Sequence, residues 1–123
     1  MALEIVTVPC RSDNYAYLLR DGSGAVGVID APEAAPIEAA LDARGWGLDW
    51  IWLTHHHADH VDGVARLRER YGAQVAGAEA DAGRLPALDI ALSEGERIKL
   101  GASEAEVIDV SGHTVGHIAF HFP

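Results

Sequence analysis

Cysteine is almost absent, with Cys10 the single one in 123 residues. That excludes an intrachain disulfide and a cysteine-rich zinc knuckle. Nothing near Cys10 in sequence would activate a thiolate, so a small buried residue is expected there rather than a nucleophile. Positive charge is also scarce. Nine Lys and Arg stand against nineteen Asp and Glu, for a formal charge of −10. Such a surface repels nucleic-acid phosphate and anionic lipid alike. The one local basic group, Arg66, Arg68 and Arg70, alternates beside Glu69 on a predicted helix. It reads as a solvated face that complements the helix C-terminus. No apolar run approaches the ~20 residues that a membrane-spanning helix needs. The start, Met1-Ala2-Leu3-Glu4-Ile5, lacks a basic segment followed by a hydrophobic one. No signal peptide is therefore expected, and the cytoplasm is the default location.

What is present is the composition of a globular protein, 49% hydrophobic and 23% charged. The length predicts one domain, residues 1–123, burying about two thirds of its unfolded surface. Residues 3–8 alternate as a first strand closed by Pro9, and residues 15–20 form a second. The turn signal Asp21-Gly22-Ser23-Gly24 joins it to a third at 25–30. Asp30 ends that strand, either as a group behind a neighbouring loop or as a plain turn residue. Residues 33–44 read as a helix, with Pro36 in the first turn and Gly45 as the stop. The strand 50–54 is apolar at four consecutive positions, as expected for a strand covered on both faces. Val61, Val64, Leu67 and Tyr71 recur at helical spacing before Gly72, with Asp59 and Asp62 at the start of that helix. A strand at 73–77, one helical turn at 79–84, and strands at 96–101, 104–110 and 117–122 follow. The pattern is a mixed α/β layer structure with no repeat or linker.

Two stretches carry chemistry. Thr54-His55-His56-His57-Ala58-Asp59-His60 follows the apolar strand Trp50-Ile51-Trp52-Leu53. Imidazole nitrogens and a carboxylate oxygen are donors that zinc and similar borderline metals take. A His-rich surface loop without metal is the plainer alternative, and the spacing argues against it. Ser111-Gly112-His113-Thr114-Val115-Gly116-His117 repeats the arrangement, a strand delivering a histidine into a glycine-flanked loop. A lone histidine after a strand is usually a satisfied polar residue, but here an incomplete site awaits a third imidazole. His117 and His121 share one face of the last strand, opposite Ile118, Phe120 and Phe122, and read as structural.

These residues resemble the metallo-β-lactamase superfamily, whose signature is the Thr-His-x-His-x-Asp-His loop. Val8-Pro9-Cys10, Asp13-Asn14-Tyr15-Ala16-Tyr17-Leu18-Leu19, Val28-Ile29-Asp30-Ala31-Pro32 and Gly112-His113-Thr114-Val115-Gly116-His117-Ile118 narrow the likeness to glyoxalase II, the hydroxyacylglutathione hydrolases. The resemblance implies an α/β fold, the αββα sandwich, of which this sequence matches the first half. The domain would then be incomplete at its C-terminus. By position, His55, His57 and His113 resemble ligands of a first metal, and Asp59 and His60 ligands of a second. Thr54 looks like a supporting residue, His56 has no assigned role, and Asp62 stands where relatives often have glycine.

The implied cofactor is zinc, one or two ions, with iron or manganese as alternatives. The implied reaction is hydrolysis of S-D-lactoylglutathione or a similar glutathione thioester, in methylglyoxal detoxification. Metal-bound hydroxide attacks the acyl carbon, and Asp59 is a further candidate for orienting that water. A bridging aspartate, a last histidine and the residues that hold glutathione are expected downstream of Pro123. An iron persulfide dioxygenase, a lactonase and a catalytically silent metal-binding domain are the alternatives. Half a sandwich is expected to expose an apolar sheet face, which invites self-association.

Overall fold

A computed structural model describes residues 3–10, 14–31, 33–54, 63–78, 88–93, 95–101, 103–109 and 118–121. The elements run β1 (Leu3–Cys10), β2 (Asn14–Asp21), β3 (Val26–Ile29), α1 (Ala34–Arg44), β4 (Trp50–Trp52), α2 (Val64–Tyr71), β5 (Gln74–Ala78), β6 (Ile90–Leu92), β7 (Arg97–Leu100), β8 (Ser103–Asp109) and β9 (Ile118–His121). Strands β1 to β6 form one sheet in sequence order, and β7, β8 and β9 form a second. The first two pairings, β1–β2 and β2–β3, are antiparallel. From β3 to β6 the strands run parallel, with α1 as the crossover from β3 to β4 and α2 from β4 to β5.

The alternation of each strand sorts its side chains onto two cores. Leu18, Val28, Ile51, Leu53 and Val75 face the helices and pack on Ile37 and Leu41 of α1 and Val64 and Leu67 of α2. Leu19, Trp52, Ala76 and Leu92 face the second sheet and meet Ile98, Leu100, Ala105 and Val107. Four consecutive apolar residues in Trp50-Ile51-Trp52-Leu53 serve both cores at once, as expected for a doubly covered strand. Helix α1 stops where expected. Gly45 takes a left-handed φ of 68°, and Trp46 N–H returns to the Leu41 carbonyl at 3.0 Å.

Three features differ from the sequence reading. Pro9 does not close β1, which continues through it to Cys10 with Pro9 opposite Tyr15. As the edge strand of its sheet, β1 loses no ladder bond to a residue without an N–H. Strand β6 had no alternating pattern to announce it. It forms as three residues beside β5, and Asp89 secures its start by accepting the Val75 N–H at 2.7 Å.

The arginines of α2 are not a merely solvated face. Arg66 and Arg70 converge on the buried Glu38 of α1 at 2.8 and 3.0 Å, and Arg68 reaches Asp89 at 3.2 Å. The Glu38 carboxylate, with Asp42 beside it, holds the Arg70 guanidinium above its ordinary pKa. As expected of half a sandwich, exposed apolar side chains lie on the inward face of the large sheet, at Ile5 (61% exposed) and Tyr17 (41%). The outward side of the small sheet pairs Arg97 with Glu104 at 2.8 Å, with Lys99, Glu106 and the exposed Ile108 alongside. The predicted turn at 79–84 lies outside the described residues, and of the second predicted helix 61 and 62 do so too.

Candidate metal centre

The parallel strands β3, β4 and β5 present their carboxyl ends at one edge of the sandwich, where open α/β sheets place their ligands. Strand β4 leaves that edge under tight control. Asp30 N–H bonds the Trp52 carbonyl at 2.8 Å, and Leu53 N–H bonds the Ala76 carbonyl at 2.8 Å. The next residue, Thr54, is held twice by one buried carboxylate. Its N–H donates to Asp30 Oδ1 at 2.9 Å and its hydroxyl to Asp30 Oδ2 at 2.8 Å. Asp30 reaches this position from a left-handed φ of 64°, a region that aspartate tolerates better than most residues. Asp30 is thus more than a plain turn residue, because its carboxylate holds Thr54, the residue that leads into the 55–62 segment.

His55, His57, Asp59 and His60 follow Thr54 and lie outside the described residues, as does His113. The framework fixes where the two segments that carry them attach. The opposite end of the sandwich is marked by the β2–β3 turn, where Asp21 accepts the Ser103 hydroxyl and Gly101 lies against Ser23 and Asp21. The β7–β8 turn therefore sits at the end away from Thr54. It follows that β8 runs toward the Thr54 edge, ending at Asp109, and that β9 starts there at Ile118, paired with Asp109. The ring of Phe120 packs on Trp52 with centroids 4.9 Å apart, tying β9 to the end of β4. The residues before His55 and those on either side of the 110–117 segment thus converge on one edge. Among the described residues no group of three His, Cys, Asp or Glu forms a metal site.

Over residues 11–123 the sequence matches the protein family described as the metallo-beta-lactamase superfamily. It is 68% identical over 124 residues to a Ruegeria pomeroyi protein named hydroxyacylglutathione hydrolase, a match covering 100% of this chain and 49% of that one. The chain spans about half the length of the curated relatives it matches. Among solved structures, the BLEG-1 B3 metallo-beta-lactamase aligns with a TM-score of 0.84 and 18% identity, over 97% of this chain and 67% of its own. ETHE1 from Myxococcus xanthus aligns with a TM-score of 0.82 and 25% identity, over 99% of this chain and 54% of its own. These likenesses carry the fold, an α/β sandwich of which the described elements make the first half.

Proposed function

The chain belongs to the metallo-β-lactamase superfamily, and on that premise we propose that residues 1–123 are the metal-binding half of a hydroxyacylglutathione hydrolase. One observation carries the reading. The feet of the two ligand-bearing segments meet at the carboxyl edge of β4 through Trp52 and Phe120. Three imidazoles, His55, His57 and His113, then serve a first metal, and Asp59 and His60 a second. This donor set of nitrogen with a carboxylate fits zinc, with iron or manganese as the alternatives. A bound ion of this kind supplies Lewis acidity and water activation at neutral pH.

The chain's own residues hold and exclude. Asp30 and Thr54 set where the histidine loop begins. Trp52 and Phe120 keep apolar surface beneath it, and Asp59 is placed by sequence to orient a water. The substrate proposed is S-D-lactoylglutathione, split to D-lactate and glutathione in the cytoplasm. The 68% identity to a hydroxyacylglutathione hydrolase favours this over the iron dioxygenase and lactonase readings. Residues 1–123 form one domain in this proposal, incomplete at the C-terminus. The inward surface at Ile5 and Tyr17 is where self-association would occur, read by size-exclusion chromatography.

The test is loss of the thioester of S-D-lactoylglutathione, measured on the product of the complete reading frame that contains these residues. Turnover that vanishes with a chelator and with His57→Ala, and returns on adding zinc to the chelated wild type, is expected. A chelator-resistant thioesterase, or no turnover of any glutathione thioester, overturns the proposal.

A further inference from the structure

The connection between β3 and α1 touches the framework at two places that are far apart in sequence and adjacent in function. Asp30 binds the N–H and hydroxyl of Thr54. One residue later, the Ala31 carbonyl accepts the N–H of Gly63 at 2.6 Å. Thr54 and Gly63 are the described residues that bracket segment 55–62, which carries four of the five candidate metal ligands. Both feet of that segment therefore rest on two consecutive residues, one through the Asp30 carboxylate and one through the Ala31 carbonyl, both residues buried.

The second foot explains a residue choice. Gly63 has φ −86° and ψ −6°, a conformation open to any amino acid. Its space is not open. A Cβ there would lie 2.7 Å from the Ala34 nitrogen, 2.9 Å from the Glu33 carbonyl carbon and 3.0 Å from the Ala31 oxygen. All three are backbone atoms, so no rotamer can relieve the contact, and the foot itself must move. The first foot is equally determined, since the left-handed Asp30 is held by its own N–H to Trp52 and by both carboxylate oxygens.

We propose that the β3–α1 connection is a two-point clamp that fixes the span of the metal loop. Gly63 is its positioning residue at the Asp59–His60 end, and Asp30 at the His55–His57 end. The proposal rests on the metal reading above and adds a mechanical requirement to it. Metal sites lose affinity when their ligands are held loosely, even with every ligand present.

The test uses the product of the complete reading frame, stripped of metal and titrated with cobalt(II), whose visible spectrum reports ligand number and geometry. Gly63→Ala is expected to keep the far-ultraviolet circular dichroism of the wild type, to bind cobalt at least tenfold more weakly, and to show an altered visible spectrum at saturation. A folded Gly63→Ala protein with wild-type cobalt affinity and spectrum overturns the clamp. Should Gly63→Ala not fold, the other foot decides by the same readouts. Thr54→Val keeps the N–H bond and loses the hydroxyl bond, and Thr54→Ser restores it. Weakened binding in Thr54→Val with recovery in Thr54→Ser supports the clamp, and unchanged binding in Thr54→Val overturns it. A wild-type protein that takes up no cobalt overturns the metal reading and the clamp with it, and that failure is visible before any substitution is made.

Discussion

Ser103 donates its hydroxyl to the buried carboxylate of Asp21, a residue 82 positions earlier in the chain. The same carboxylate accepts the Ser23 N–H at 2.8 Å. One side chain thus closes the β2–β3 turn and fastens the second sheet to the first. Asp21→Ala leaves two partly buried hydrogen bonds unmade and should cost about 1–3 kcal/mol. Ser103→Ala removes one donor and should cost about 1–2 kcal/mol. Urea denaturation checks both, through a lower midpoint at unchanged slope. An Asp21→Ala protein as stable as the wild type would contradict the assignment.

The Trp52–Phe120 contact makes a second expectation. Phe120 is half-buried, so Phe120→Ala should cost about 2–3 kcal/mol, below the range for a fully buried phenylalanine, and Phe120→Leu less than about 1.5 kcal/mol. Because the pair ties the feet of the two ligand segments together, Phe120→Ala should also weaken zinc binding measured by competition with a chromophoric chelator. Zinc affinity unchanged in Phe120→Ala would mean that His113 does not share a metal with His55 and His57.

In the proposed site, residues 1–123 by themselves would offer three histidines to one metal but only Asp59 and His60 to a second. Elemental analysis after dialysis should therefore find at most one tightly bound ion per chain. His57→Ala should lose that ion, and His56→Ala should keep it. Two tightly held ions would mean that this half alone completes both sites.

Glu38 should matter more than either arginine it holds. It is buried, whereas Arg66 is largely exposed, and it meets Arg66 and Arg70 together. Removing it leaves two cations side by side, with Asp42 paired to Arg70. Thermal denaturation should show Glu38→Ala losing several degrees and Arg66→Ala almost nothing, as exposed ion pairs generally contribute little. Equal losses would show that the pair acts only through its exposed end.

Much of this architecture was legible in the residues. Alternation found β1, an apolar run found β4, β2, β7 and β8 lie where strands were expected, and Gly45 and Gly72 ended both helices where the sequence placed them. Strand β6 was not legible, because three residues at a sheet edge owe their conformation to pairing with β5 and to the Asp89 side chain rather than to any pattern of their own. Pro9 misled for a related reason, since proline forbids a strand only where its missing N–H would be needed. The site divides the same way. The histidine-rich loops marked a metal site, the resemblance supplied the set His55, His57, Asp59, His60 and His113, and that set stands as a proposal built on the framework. The role of Asp30 could not be chosen from sequence, because it depends on where Thr54 lies in space. Gly63 was missed altogether. Its only sequence signal is a glycine just before a helix, which reads as an ordinary boundary until its backbone neighbours are known.

The two cores differ in how far along the chain they reach. The helix-facing core closes within residues 6 to 88, whereas the inter-sheet core joins Leu19 to Val107 and Phe120. Sub-global opening should follow that division, with the amides of β7, β8 and β9 exchanging with solvent at lower free energy than those of β3 and β4. A metal shared by His57 and His113 would span the boundary between these cooperative units. Zinc should then slow hydrogen exchange most in the small sheet, the unit with least intrinsic stability of its own, so that loading the site and closing the sandwich become one thermodynamic event.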